Sequence, residues 1–161
     1  HGCKVGKGLR AARWPVFRSV PNGNIEIGNH VSIGSNIVLQ PLGKGKIVLD
    51  DYSRLIHDVY IAASEHIYIG KHSGIAERCS VRDTEHSIQR DIPMYEQELI
   101  THPVHIGSDV QLSLGSSVLA GSRIEDGVII GAGCIITRNV KTVANGIYFG
   151  NPPRMIGKRP K

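Results

Sequence analysis

Aliphatic residues recur at every sixth position in this 161-residue chain, and that period is compatible with very few folds. The run from residue 106 to residue 136 is unbroken. Gly, Asn or Asp stands three places after each aliphatic residue, and these residue types tolerate left-handed backbone angles. Hexapeptide repeats are typical of parallel β-helices, in which three hexads complete one triangular coil. The aliphatic positions of this run are Ile106, Leu112, Val118, Ile124, Ile130 and Ile136.

The same period occurs earlier in three shorter sets. These are Ile27, Ile33 and Leu39, then Leu49, Leu55 and Ile61, then Ile69, Ile75 and Val81. A long insertion at 87–105, which contains Pro93 and Pro103, separates the third set from the later run. Long excursions from a compact scaffold are usually functional. We therefore predict an all-β fold, a parallel β-helix with one large extruded loop at about 87–105.

The expected organisation is a single domain over residues 1–161. Along the chain we predict an irregular first coil at 1–26 that begins near Val5, regular coils at 27–86 and 106–141, and a C-terminal tail at 142–161. Aromatic residues make up only 5% of the chain and 19 residues are glycine. Both figures fit a narrow interior that admits Ile, Val and Leu but few rings.

Both ends of the chain are basic. The net charge is +5, and neither 1–20 nor 138–161 contains an acidic residue. Such ends favour polyanionic ligands, namely phosphates, nucleic acid or a membrane surface, and solvated tails are the alternative. Three cysteines are too few for a disulfide framework, so we expect a reducing compartment with Cys79 and Cys134 in the core. No apolar run is long enough for a transmembrane helix or a secretory signal.

Four sequence strings carry a resemblance to a known family. They are PVHIGSDV at 103–110, VIIGAGCIITRNV at 128–140, GNPPRMI at 150–156 and DTEH at 83–86. With these strings the chain resembles the hexapeptide-repeat acyltransferases, and most of all the O-acetyltransferases of bacterial lipopolysaccharide, capsule and exopolysaccharide synthesis. The resemblance implies a left-handed β-helix, a homotrimer, a sugar or glycan acceptor, and acetyl-CoA as co-substrate in the cleft between neighbouring subunits.

His86 is the expected general base. An imidazole has a pKa of about 6.5, which suits removal of a hydroxyl proton near neutral pH. His86 ends a hexad directly before the insertion, and it matches the histidine of the family's Asp-x-x-His. The predicted reaction is direct transfer, with backbone N–H groups holding the tetrahedral oxyanion. Asp83 is the candidate to orient the imidazole, and Glu85 or a backbone carbonyl is the alternative.

The resemblance also implies cofactor and acceptor residues. It places Leu114 and Ala132 along the pantetheine arm of CoA. It assigns basic and polar contacts, which include the ribose phosphate, to Thr137, Arg138, Arg154 and Lys158. His57 and Asp58, expected roughly one coil below His86, fall where sugar acetyltransferases carry an acceptor-side Asn. Gln111 replaces the family's tryptophan, which leaves rate and acceptor choice open.

Alternative functions differ in class. An N-acetyltransferase of a nucleotide-linked amino sugar would use the same coil and an equivalent base. A non-catalytic structural trimer would need neither His86 nor the basic C-terminus. A zinc carbonic anhydrase on this coil needs an HxxxxH pair, which the eight histidines do not provide. We expect no metal, no nucleic-acid partner and a cytoplasmic location, with contact between the basic N-terminus and the inner face of the membrane left open.

Overall fold

The computed structural model describes residues 2–161, which form three parallel sheets around one core and a short antiparallel hairpin. Sheet A contains β1 (Cys3–Val5), β4 (Ile25–Ile27), β7 (Lys46–Leu49), β10 (His66–Ile69), β15 (Val104–Ile106) and β18 (Arg123–Ile124). Sheet B contains β2 (Arg10–Ala11), β5 (Ser32–Ile33), β8 (Arg54–Leu55), β11 (Gly74–Ile75), β16 (Gln111–Leu112), β19 (Ile129–Ile130), β21 (Gly146–Phe149) and β22 (Arg154–Lys158). Sheet C contains β3 (Val16–Phe17), β6 (Val38–Pro41), β9 (Tyr60–Ala63), β12 (Ser80–Arg82), β17 (Ser117–Val118) and β20 (Ile135–Ile136). The hairpin consists of β13 (Thr84–His86) and β14 (Leu99–Thr101), with a 3₁₀ helix at Met94–Glu96 between them.

Each coil visits sheets A, B and C in turn, and the strand register confirms the six-residue period. In sheet A, Leu49 pairs with Ile27 on one side and Ile69 on the other. Ile69 then pairs with Ile106, so the coil before the insertion stacks directly on the coil after it. The aliphatic residues of the regular hexads are at most 4% exposed. Burying a side chain of this size contributes roughly 1.5–3 kcal/mol, so this inward column holds the fold together.

The first coil is more regular than predicted. Val5 pairs with Ile27, Ala11 with Ile33, and Phe17 with Leu39, so the same register extends to the start of the described chain. Its side chains are less buried than those of the inner coils, and Val5 is 46% exposed. This coil is the outermost one in residues 2–161, which explains both its exposure and its weak hydrophobic pattern.

The predicted tail at 142–161 is a partial coil followed by a reversed strand. Thr142 and Tyr148 continue the period, and both side chains are buried. Tyr148 pairs with Ile130, and its side chain is part of the hydrophobic core. β22 then runs antiparallel to β21 and widens sheet B. Asn151 fastens the turn between them, because its side chain accepts the Ile135 N–H at 2.8 Å and donates to the Gly133 carbonyl at 2.7 Å.

The predicted loop is an ordered hairpin whose bounds differ from 87–105. The excursion leaves sheet C at residue 84, since β13 already pairs antiparallel with β14. The regular coil resumes at Val104, in β15. Gln97 is buried inside the excursion, where its amide donates to the Gln89 carbonyl at 2.6 Å. His86 therefore lies in a hairpin strand and not at the end of a hexad.

Two inward-facing serines on neighbouring coils differ in their hydrogen bonding. Ser73 Oγ donates to the Gly107 carbonyl at 2.8 Å and accepts the Val110 N–H at 3.0 Å. Ser53 occupies the same place one coil earlier, and its buried hydroxyl has no hydrogen-bond partner among residues 2–161. Cys79 and Cys134 are also buried in the core, as predicted.

This difference predicts opposite effects for matched alanine substitutions. Ser53→Ala should leave the free energy of unfolding unchanged or raise it by about 1 kcal/mol, because an unpaired buried hydroxyl is removed. Ser73→Ala should lower it by roughly 1–3 kcal/mol, because the Val110 N–H loses its acceptor. Urea denaturation of both variants measures the difference. Equal destabilisation would contradict the contrast.

Among residues 2–161, the structure has no helix with the length and apolar character needed to cross a membrane.

Candidate active site

The candidate base lies on the hairpin that leaves the corner between sheets C and A. His86 is exposed and ends β13, with Leu99 opposite it on β14. The strand before it in sequence, β12, belongs to sheet C, and the regular coil resumes in sheet A. The hairpin therefore carries the imidazole outside the coil, where a substrate has access to it.

Asp83 anchors this hairpin at the point where the hairpin leaves the coil. The side chain is fully buried, and its Oδ1 accepts the Ser64 N–H at 2.7 Å and the Thr84 hydroxyl at 2.9 Å. Its Oδ2 accepts the Glu65 N–H at 2.7 Å. None of these contacts involves His86, so they give the expected orientation of the imidazole by Asp83 no support. What they support is a positioning role, in which the carboxylate ties β13 to the turn one coil below.

A second link joins the hairpin to a later coil. The Glu85 carboxylate forms an ion pair with the Arg138 guanidinium, at the same corner of the solenoid. Arg138 was expected to face CoA, but in the described chain its charge is directed to Glu85. Thr137 precedes it in the chain, and the Thr137 hydroxyl accepts the Asn139 N–H at 3.4 Å. The sequence suggests Glu85 only as a partner of the imidazole, because two residues as far apart in the chain as Glu85 and Arg138 give no local signal of an ion pair.

Three of the predicted cofactor residues come together at the corner between sheets B and C. Leu114 and Ala132 are exposed there on adjacent coils, which the Gly133 N–H joins to the Leu114 carbonyl at 2.9 Å. Arg154 begins β22 at the same corner, opposite Phe149 at the end of β21, and Asn151 holds the turn before it against Gly133.

Lys158 does not join this group. It lies at the other end of β22, opposite Gly146. Four residues of strand place it about 13 Å from Arg154. The sequence resemblance does not predict this distance. The distance arises because residues 154–158 form a strand that pairs antiparallel with β21 and so leads the chain away from the corner.

His57 and Asp58 are also found at the corner between sheets B and C, which corrects the predicted placement. They lie one coil below His86, as expected, but at the opposite edge of sheet C. The Ser35 N–H donates to His57 Nδ1 at 3.1 Å, and the Asn36 amide donates to the Asp58 carboxylate at 3.0 Å. The hexad period explains the difference, because residues two and three places after a sheet B position turn into this corner.

The outer face of sheet A carries a tyrosine and a histidine whose rings stack on each other, away from these corners. The Tyr68 hydroxyl donates to Asp50 at 2.6 Å, and burial together with this carboxylate raises the pKa of Tyr68 to about 12. His105 stacks on the Tyr68 ring at 5.0 Å between centroids. Burial, reinforced by Arg123, lowers the pKa of His105. Within residues 2–161, no three His, Cys, Asp or Glu side chains are grouped so that they could hold a metal ion.

The chain is similar in sequence to known acyltransferases. No protein-family model matches the chain. It is 27% identical over 160 residues to WbbJ of Escherichia coli K12, provisionally named a lipopolysaccharide biosynthesis O-acetyl transferase, and this match covers 94% of the chain and 80% of WbbJ. It is 25% identical over 166 residues to a dTDP-4-amino-4,6-dideoxy-D-glucose acyltransferase of Escherichia coli, covering 100% of the chain and 76% of that protein.

A solved structure extends the comparison to the fold. A point mutant of AntD, an N-acyltransferase from Bacillus cereus, was crystallised with dTDP-4-amino-4,6-dideoxyglucose and coenzyme A. It superposes with a TM-score of 0.79 at 23% identity, over 98% of this chain and 84% of that one. The predicted resemblance to the hexapeptide-repeat acyltransferases is therefore confirmed, in sequence by the two relatives and in the left-handed β-helix fold by the solved structure.

Proposed function

We propose that this protein is an acetyl-CoA-dependent O-acetyltransferase that acts on a sugar hydroxyl in bacterial surface polysaccharide synthesis. The observation that carries the proposal is the exposed imidazole of His86, held on a strand that Asp83 anchors inside the coil. A histidine in this position is accessible to substrate, and the strand that carries it is attached firmly to the coil. The likeness to WbbJ supports the choice of a hydroxyl acceptor. The proposed location is the cytoplasm, where the donor is made.

The proposed reaction is a direct transfer. The acceptor hydroxyl attacks the thioester carbonyl of acetyl-CoA while His86 takes the hydroxyl proton. Backbone N–H groups stabilise the oxyanion of the tetrahedral intermediate. The C–S bond then breaks, the thiolate takes the proton back from the imidazolium, and the products are an acetyl ester and CoA.

For the donor we propose the corner between sheets B and C. Leu114 and Ala132 would lie along the pantetheine arm, and Arg154 would bind the ribose phosphate. Thr137, Arg138 and Lys158 stand at other edges of the same chain, so they would contact CoA only from a neighbouring copy.

This separation supports the proposal of a homotrimer. His86 and the Leu114 corner lie at opposite edges of sheet C in one chain, so the site is complete only when the hairpin of one copy meets that corner in the next. The hairpin also exposes apolar side chains, with Ile88 86% and Tyr95 97% exposed. Size-exclusion chromatography with light scattering should give three times the chain mass. A monomer with full transferase activity would contradict this assembly.

A second candidate function is N-acylation of a nucleotide-linked amino sugar, which the second relative from Escherichia coli favours. Radiolabelled acetyl-CoA, offered with matched hydroxyl and amino sugar acceptors, separates the two. Hydroxylamine cleaves an ester but leaves an amide intact. We expect the labelled product to be released by hydroxylamine. A resistant product would favour the second candidate, and hydrolysis of acetyl-CoA without any acetylated product would contradict both.

Replacing Arg154 tests the donor site. Arg154→Ala should raise the KM for acetyl-CoA roughly tenfold with little change in kcat, because a charge-assisted contact to phosphate contributes to ground and transition states alike. A 3′-dephospho donor should be much less affected by the substitution. Arg54→Ala, which removes an exposed arginine from an early coil of sheet B, is the matched control. An unchanged KM for acetyl-CoA would remove Arg154 from the donor site.

A further inference from the structure

On the outer face of sheet C, within the first four coils, an aromatic ring is flanked by two arginines. The Cζ atom of Arg82 lies 4.7 Å from the centroid of the Tyr60 ring, and that of Arg18 lies 5.5 Å from it. Arg82 comes from the coil after Tyr60 and Arg18 from two coils before it, so the guanidinium groups approach the ring from opposite ends of the coil stack. The Tyr60 hydroxyl donates to the Gln40 side chain, which fixes the ring against the sheet.

The two arginines have no acidic partner in the described chain. None of the ion pairs within residues 2–161 includes Arg18 or Arg82, and both side chains are exposed. Contact with an aromatic face orients a guanidinium group without consuming its N–H donors. Oriented guanidinium groups with free donors are well suited to phosphate, which they bind through paired hydrogen bonds.

Arg82 is also close in the chain to the candidate base. It ends β12, and only Asp83 separates it from β13, the strand that His86 ends. Even a fully extended chain would place the Cα atoms of residues 82 and 86 no more than about 14 Å apart. A phosphate group held at Arg82 would therefore bring whatever is attached to it near the hairpin.

We propose that Arg18, Tyr60 and Arg82 form a binding site for the diphosphate group of the acceptor. This inference rests on the proposed function and narrows its substrate class. The acceptor would be a sugar carried on a diphosphate, and not a free sugar or a finished neutral polysaccharide. A nucleotide-linked and a lipid-linked sugar share this group. The site is separate from the proposed CoA site, because Arg154 lies on β22 in sheet B.

Calorimetry with small diphosphates tests the site without any transfer reaction. Wild-type protein saturated with CoA is titrated with inorganic pyrophosphate, with dTDP and with farnesyl diphosphate below its micellar concentration, at low and high NaCl. We expect binding that salt weakens, and each of Arg18→Gln and Arg82→Gln should weaken it about tenfold. Arg54→Gln, which removes an exposed arginine from sheet B, is the matched control and should bind as wild type does. Arg154→Ala should also retain the site.

The results distinguish a nucleotide-linked from a lipid-linked acceptor. They also distinguish failure of the diphosphate site from failure of the proposed function. Tighter binding of dTDP than of pyrophosphate identifies a nucleotide-linked acceptor, and tighter binding of farnesyl diphosphate identifies a lipid-linked one. No binding of any of the three ligands to the CoA-saturated protein, or an equal loss of binding in Arg54→Gln, would overturn the site. The proposed function fails separately, if His86→Ala transfers acetyl groups at the wild-type rate.

Discussion

Replacing His86 by alanine should slow acetyl transfer by about 10²–10⁴-fold, the usual contribution of a general base. The loss should appear in kcat, because the imidazole acts on the hydroxyl proton as the bond forms. The fold should be retained, since the side chain is exposed at the end of a hairpin strand and the core column does not depend on it. Steady-state rates with saturating acetyl-CoA, together with thermal unfolding, measure both effects.

Two controls separate proton transfer from a loss of shape. Added imidazole should restore part of the rate of His86→Ala, because a small base can enter the space that the side chain leaves. His30→Ala, which removes an exposed histidine at the corner between sheets A and B, should transfer acetyl groups normally. A His86→Ala variant that unfolds like wild type and keeps its full rate would show that His86 is not the base.

Replacing Asp83 by asparagine should lower the free energy of unfolding by roughly 2–4 kcal/mol. The carboxylate accepts two backbone N–H groups and one hydroxyl in a site closed to solvent, and an amide presents N–H donors where one of its oxygens stood. Activity should fall as well, because β13 loses its attachment to the turn at Ser64 and Glu65. This loss should be accompanied by faster hydrogen exchange in the hairpin.

The same substitution at an exposed aspartate shows how much the free energy of unfolding changes when the carboxylate is not buried. Asp109 is exposed and forms an ion pair with Arg159 at 2.6 Å. Exposed pairs of this kind contribute about 0–1 kcal/mol, and asparagine tolerates the positive φ of 55° at this position. Asp109→Asn should therefore unfold nearly as the wild type does in urea. If Asp83→Asn costs no more than Asp109→Asn, the carboxylate is not the anchor of the hairpin.

The coil and its register could be predicted from the sequence because the repeat is a local property. Each hexad contains its own inward aliphatic residue and its own turn, so Ile69 and Ile106 can be paired correctly without knowing the path of the insertion between them. The Asp-x-x-His string likewise singled out His86, because the motif is contiguous. The end coils were harder, since Val5 and Tyr148 lie where the hydrophobic pattern weakens and a ring replaces an aliphatic side chain.

The functional surface depends on contacts that a hexad does not contain. Which corner a side chain occupies follows from its place in the hexad, and this puts His57 and His86 at opposite edges of sheet C although their coils are adjacent. The ion pair of Glu85 with Arg138 joins residues from different coils, as do the contacts of Tyr60 with its two arginines. The sequence therefore determined the period, the inward column and the candidate base. Only the stacking of coils decided which charged groups meet, because electrostatic and hydrogen-bond partners are set by distance in space and not by spacing along the chain.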